Sequence, residues 1–192
     1  MNPRESRDQE RTPVQDTRSA RGDGPVQDTR GAREDGRAPD AQASQEQGGT
    51  VTLLTAHEAR AVLRNARRIA VVGASPDPTR PSHEVMRHLL AAGYDCVPVN
   101  PSVSEIMGRA TFPDLASATT AGGRFDIVDV FRRPEAAPAI AREAVDVGAS
   151  VLWLQLGVVS WEAARIAAEG GLAVVMDRCT KIEHRALMAE GG

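Results

Sequence analysis

Between an apolar run ending at Val72 and a helical stretch beginning near Ser82 lies Gly73-Ala74-Ser75-Pro-Asp-Pro-Thr-Arg80-Pro-Ser82, a segment whose residue types suit a phosphate. A glycine lets the backbone turn sharply, and the free amides at the start of a following helix favour an anion. Ser75 and Ser82 add hydroxyl donors, and Arg80 adds a charge-assisted contact. A second chemistry-bearing stretch is Asp177-Arg178-Cys179, followed by Lys181-Ile-Glu-His184. An arginine beside a cysteine favours the thiolate, the reactive form, so Cys179 is the candidate for disulfide exchange, its thiolate attacking the disulfide form of a thiol ligand and expelling the free thiol. Asp177, Cys179 and His184 match no standard zinc spacing, and no Ser-His-Asp set follows from residue order alone. No catalytic set and no metal site are expected.

The remaining polar and aromatic residues have plainer expectations. His184 is expected to cap or pack at the last helix, and His83 and His88, five apart, fall on different helix faces. Asp129 and Glu183 are isolated carboxylates expected to bond nearby backbone. Cys96, inside an apolar run, reads as a buried structural thiol. Trp153 and Trp161 read as core.

The elements that must position these groups are legible in the hydrophobic pattern. Thr55-Ala-His-Glu58 has the spacing of a capping box, and Ala59, Val62, Leu63 and Ala66 continue it as an apolar helical stripe. Five short apolar runs follow, at 69–72, 96–99, 127–130, 151–154 and 173–175. Between most of them the period changes to that of a helix. Val85, Met86, Leu89 and Leu90 form one face, closed by Gly93. Ala137, Ile140, Ala141, Ala144 and Val145 form another, with Pro134 near its start and Gly148 at its end. Ser160 can cap a third helix running to Gly170-Gly171. Unalternated β-branched runs fit strands buried on both faces, hence a parallel sheet covered on each side. The predicted fold is α/β, a doubly wound, mainly parallel Rossmann-like sheet with helices on both faces.

Such sheets bind ligands outside the carboxyl ends of their strands, near the point where strand order reverses. The segments after the five runs are Gly73-Ala74-Ser75-Pro76, Asn100-Pro101, Phe131-Arg132-Arg133, Gln155-Leu-Gly157 and Asp177-Arg178-Cys179, all polar or turn-forming and all on one edge. A dinucleotide fingerprint would read GxGxxG with a ribose-binding acid about twenty residues on. Here Ser75 replaces the second glycine and the second strand ends in Asn100, so an NAD(P) oxidoreductase or redox sensor is the alternative reading.

The segments VVGASPDPTRPS (71–82), PVNP (98–101), DIVDVFRR (126–133), WLQLGV (153–158) and MDRCTKIEH (176–184) resemble, in order and spacing, the small stand-alone CoA-binding proteins. Their domain is similar to the CoA-binding domain of the succinyl-CoA synthetase alpha subunit. The resemblance implies that Gly73, Ala74, Ser75, Arg80 and Ser82 surround the phosphates of coenzyme A and that Asn100 lies beside its adenosine. It implies that Phe131 and Arg132 line the cofactor and that Gln155 and Gly157 border the pantetheine arm. The expected ligand is coenzyme A or an acyl-CoA, held by a carrier, sensor or regulatory module. A role as a component of an acyl-CoA synthetase with a separate partner chain is a further alternative.

Composition sets the outer bounds. Among 192 residues, the first 50 lack Leu, Ile, Phe, Trp and Tyr, and they carry a twelve-residue unit twice, PVQDTRSARGDG (13–24) and PVQDTRGAREDG (25–36). Such a stretch cannot bury enough apolar surface to offset its ordering entropy, so residues 1–50 are expected to be a disordered tail before a domain at 51–192. Charges nearly balance, with 23 Lys and Arg against 26 Asp and Glu, leaving no basic footprint for nucleic acid. Two cysteines make no disulfide framework, and no apolar run has the length of a membrane span. A cytoplasmic protein is expected, with a protein partner or a homo-oligomer left open.

Overall fold

A computed structural model describes residues 51–190; the tail and its repeat lie outside the described residues. The capping box forms: Thr55 caps α1 (Ala56–Asn65), its hydroxyl accepting from the Glu58 N–H while the Glu58 carboxylate accepts from the Thr55 N–H at 2.8 Å. The five apolar runs become β1 (Arg68–Val72), β2 (Asp95–Val99), β5 (Ile127–Val130), β6 (Val151–Leu154) and β7 (Ala173–Val175). They pair in the order β2-β1-β5-β6-β7, every pair parallel. Strand order therefore reverses between β1 and β5, and a crevice opens beyond their carboxyl ends.

The pleat sends alternate residues to opposite faces. Ile69, Val71, Cys96, Ile127, Val151 and Trp153 pack with Leu63 of α1, Met86 and Leu89 of α2 (Pro81–Ala91) and Leu187 of α6 (Thr180–Glu190). Ala70, Val128, Val130, Leu152 and Leu154 pack with α3 (Leu115–Gly122), α4 (Ala137–Asp146) and α5 (Trp161–Glu169). This is the doubly wound sheet. Cys96 is buried as expected, and its thiol is pushed up to about 12, chiefly by burial, so it stays protonated and inert.

Pro134 opens a short 3-10 turn at 134–136 before α4, and Ser160 caps α5 by accepting from Ala163 N–H. The stretch between β2 and β5 holds elements that hydrophobic period does not announce: a two-residue hairpin, β3 (Glu105–Ile106) with β4 (Arg109–Ala110), and α3, capped by Asp114. Trp153 is fully buried, its indole N–H donating to the Arg178 carbonyl at 2.7 Å. Trp161 corrects the expectation of a second core tryptophan, being 61% exposed. It is the first residue of α5, whose buried stripe is Ala163, Ala164 and Ala167, and helical side chains lean toward the N-terminus, here past the end of the sheet.

Candidate functional site

A cleft of about 700 Å³ opens at the carboxyl ends of β1, β2, β5 and β6. Gly73, Ala74, Ser75, Arg80, Ser82, Asn100, Phe131, Arg132 and Gln155 all line it. Gly157 is the one candidate outside the lining. Its N–H donates to Asp177 Oδ1 at 2.7 Å, so its amide is turned to the β7 loop. Leu156 and Val158 on either side of it do line the cleft, and so do Arg133, Glu135 and Ala136, none of which was a sequence candidate.

The first loop is held by the strand ends around it. Gly73 has φ +84, and its N–H donates to Val99 O at 2.9 Å. A Cβ there would sit 2.8 Å from Arg132 Cδ and 3.2 Å from the Phe131 carbonyl oxygen. Both the backbone conformation and the close approach of the loop after β5 require glycine. Asn100 is a clip: its amide N–H donates to Ala74 O at 2.8 Å, and its Oδ1 accepts from Ser102 N–H at 2.8 Å. Ser75 Oγ accepts from Asp77 N–H at 3.2 Å, and Arg80, at the N-cap of α2, lies 3.8 Å from Asp77 with its side chain 70% exposed. The helix start adds its partial positive charge toward this loop.

Three arginines, Arg80, Arg132 and Arg133, face one lining carboxylate, Glu135. Among the described residues neither Arg132 nor Arg133 has an ion-pair partner. The cleft is therefore cationic where the glycine loop meets the β5 loop, and apolar where Ala136, Leu156 and Val158 lie. A ligand with an anionic head and an uncharged arm fits such a surface.

Beneath the cleft floor Asp129 is fully buried. Gln155 Nε2 donates to Asp129 Oδ1 and to Thr180 Oγ1, each at 2.7 Å, and the Thr180 hydroxyl donates to Asp129 Oδ2 at 3.0 Å. The expectation of backbone partners is thereby corrected, because a strand residue aimed into the core meets the side chains of the residue following β6 and of the first residue of α6. The same correction holds for Glu183, which pairs with Arg60 and Arg178 at 3.0 Å each and ties α1 to the β7 loop. Burial pushes the Asp129 carboxyl up to about 7, with the Gln155 and Thr180 hydrogen bonds acting the other way.

Between pH about 4, where an unfolded aspartate ionises, and about 7, the folded chain keeps a proton that the unfolded chain has released. The contribution of Asp129 to stability therefore falls as pH rises through that window and levels off above it. Asp129→Asn is expected to remove this contribution, so that its melting temperature relative to wild type rises with pH from about 5 to about 7 and is level above; a difference independent of pH would remove the buried proton from Asp129.

Cys179 is half-buried at the amino end of α6, packed against the α1, α2 and α6 core cluster and absent from the cleft lining. His184 does pack at the last helix, but in a pairing that separate inspection of the helices misses: His88 Nε2 and His184 Nδ1 are 3.1 Å apart, with Tyr94 edge-on to His184. Residues 96 apart meet there only because α2 and α6 cover the same sheet face. Burial keeps both imidazoles below their usual range, His88 further lowered by the charge of His184. The fold disfavours their charged forms, so the stability they contribute is lost as pH falls below about 6.5. A smaller hollow of about 320 Å³, lined by Leu63, Arg64, Tyr94 and His184 among others, lies beside the segments that precede β1 and β2, at the opposite end of the sheet. Among the described residues no group of three or more His, Cys, Asp and Glu gathers as for a metal, and no helix is long and apolar enough to cross a membrane.

Residues 67–185 match the family described as CoA binding domain. The Bacillus subtilis protein YneT is 41% identical over 127 residues, which cover 66% of this chain and 92% of that protein. A hypothetical protein from Pyrococcus horikoshii OT3 superposes with a TM-score of 0.67 at 35% identity, covering 75% of this chain and 99% of its own. A dinucleotide-forming acetyl-coenzyme A synthetase from Ca. Korarchaeum cryptofilum superposes with a TM-score of 0.52 at 23% identity, over 60% of this chain and 27% of that one, a likeness of fold.

Proposed function

The chain belongs to the CoA-binding domain family, and from that premise we propose that it holds coenzyme A in the cleft at the strand ends, as a non-catalytic carrier, sensor or regulatory module of the cytoplasm. The observation that carries this reading is the gathering of the glycine loop, the start of α2 and three arginines around one cleft at the strand-order reversal. Coenzyme A brings a diphosphate and a 3′-phosphate to be neutralised, and Arg80, Arg132 and Arg133 answer that charge. The pantetheine arm, uncharged and amide-bearing, runs along Gln155, Leu156 and Val158. Gln155 orients through Asp129 and Thr180, which fixes the floor of the arm's path.

Nicotinamide dinucleotides are the poorer fit. Their ribose needs a carboxylate after β2, and the residue there is Asn100, whose amide already bridges Ala74 and Ser102. A melting series with CoA, acetyl-CoA, NAD and NADP distinguishes the two. Ligand at about a hundred times its dissociation constant stabilises by about 2.7 kcal/mol, a shift of several degrees. CoA and acetyl-CoA are expected to give it and NAD none; stabilisation by NAD alone would overturn the reading.

A further inference from the structure

The turn after β6 exposes apolar side chains on a backbone that is firmly pinned. Leu156 is 64% exposed, Val159 47% and Trp161 61%, all within six residues, and Leu156 also lines the cleft. The turn is fixed at three points: Val158 N–H donates to Gln155 O at 2.8 Å, Gly157 N–H to Asp177 Oδ1 at 2.7 Å, and the Gln155 amide to Asp129 and Thr180. Gly157 has φ +82, the backbone reversal that turns Leu156 outward and Val158 inward. A pinned turn that holds Leu156 in water retains it at a cost in hydration, and clustered exposed apolar residues mark a binding surface.

Resting on the proposed coenzyme A site, we propose that this apolar stretch receives the acyl chain of a medium-length aliphatic acyl-CoA. The occupant follows from continuity: Leu156 and Val158 line the cleft on its β6 side, so a chain carried on the cofactor's sulfur leaves the cleft over Leu156 toward Val159 and Trp161. The cationic end takes the nucleotide of any CoA ester. The apolar end discriminates among them by chain length, since each methylene removed from water adds to affinity.

The test compares CoA, acetyl-CoA and octanoyl-CoA by calorimetry on the full chain, with tryptophan emission recorded in parallel. Octanoyl-CoA is expected to bind about tenfold tighter than CoA, because several methylenes leave water even in an open groove. Of the two tryptophans, Trp153 is fully buried, so a blue shift with octanoyl-CoA and none with CoA reports Trp161. W161A and V159S are expected to reduce the octanoyl-to-CoA affinity ratio toward one. Equal affinities for all three ligands would overturn the proposal while leaving the coenzyme A site standing. Absence of binding by any of them would overturn both. Equal affinities together with a dimer in sedimentation would assign the patch to a second copy of the chain.

Discussion

Gly73→Ala is expected to leave a folded protein whose melting temperature falls by about 5 °C and whose affinity for coenzyme A falls about a hundredfold or more. Two independent costs meet at this position. At φ +84 an alanine Cβ crowds the following carbonyl, worth roughly 1–2 kcal/mol. That Cβ also falls 2.8 Å from Arg132 Cδ and 3.2 Å from the Phe131 carbonyl oxygen, and the carbonyl, being backbone, yields less readily than the arginine side chain. Displacing Arg132 and lifting the loop off Val99 removes more than one charge-assisted phosphate contact at once, each worth roughly 1.5–3 kcal/mol, which is why binding suffers far more than folding. Melting and calorimetry on the same preparation separate the two effects. A Gly73→Ala protein that binds coenzyme A like wild type would show that the loop does not approach the ligand.

Arg132→Ala is expected to weaken coenzyme A by about 10- to 100-fold, to flatten the salt dependence of binding, and to leave pantetheine, which has no diphosphate, unchanged. Arg80→Ala is expected to do the same more weakly. Arg80 is largely exposed and shares its charge with Asp77 at 3.8 Å, whereas Arg132 packs against Gly73 in the cleft lining and has no ion-pair partner among the described residues. Titration at two salt concentrations checks the ranking. Equal losses for coenzyme A and pantetheine would move Arg132 away from the phosphates.

The residues legible from the sequence were those whose roles depend on the backbone. The five strands are mainly apolar, with Asp129 inside β5, and a parallel sheet places whatever follows its strands on one edge, so Gly73, Asn100, Phe131 and Gln155 could be placed beside one cleft without coordinates. The hairpin at 105–110 and α3 were not legible. Two-residue strands have no period, and LASATTAG of α3 buries only Leu115 and Ala118. Glu135 and Ala136 were missed as cleft residues, and Arg133 and Leu156, placed on the strand-end edge, were given no role, because the turns carrying them fix their direction, and turn direction leaves little trace in residue type. The Asp129-Gln155-Thr180 network and the His88-His184 pair were missed for another reason: each joins residues from elements far apart in sequence, the first through the pairing of β5 with β6 beneath the start of α6, the second through the contact of α2 with α6 on one sheet face. Trp161 misled because a large aromatic residue is usually buried, and its place at the first position of α5 sends it past the core instead.

Amide NMR spectra of the full chain titrated with coenzyme A test most directly where the ligand lies. Shifts are expected at Gly73, Ala74, Ser75, Ser82, Arg132, Arg133 and Leu156, around the cleft at the carboxyl ends of the strands. Shifts confined instead to Arg64, Tyr94, His184 and Leu187, around the hollow at the opposite end of the sheet, would contradict that location.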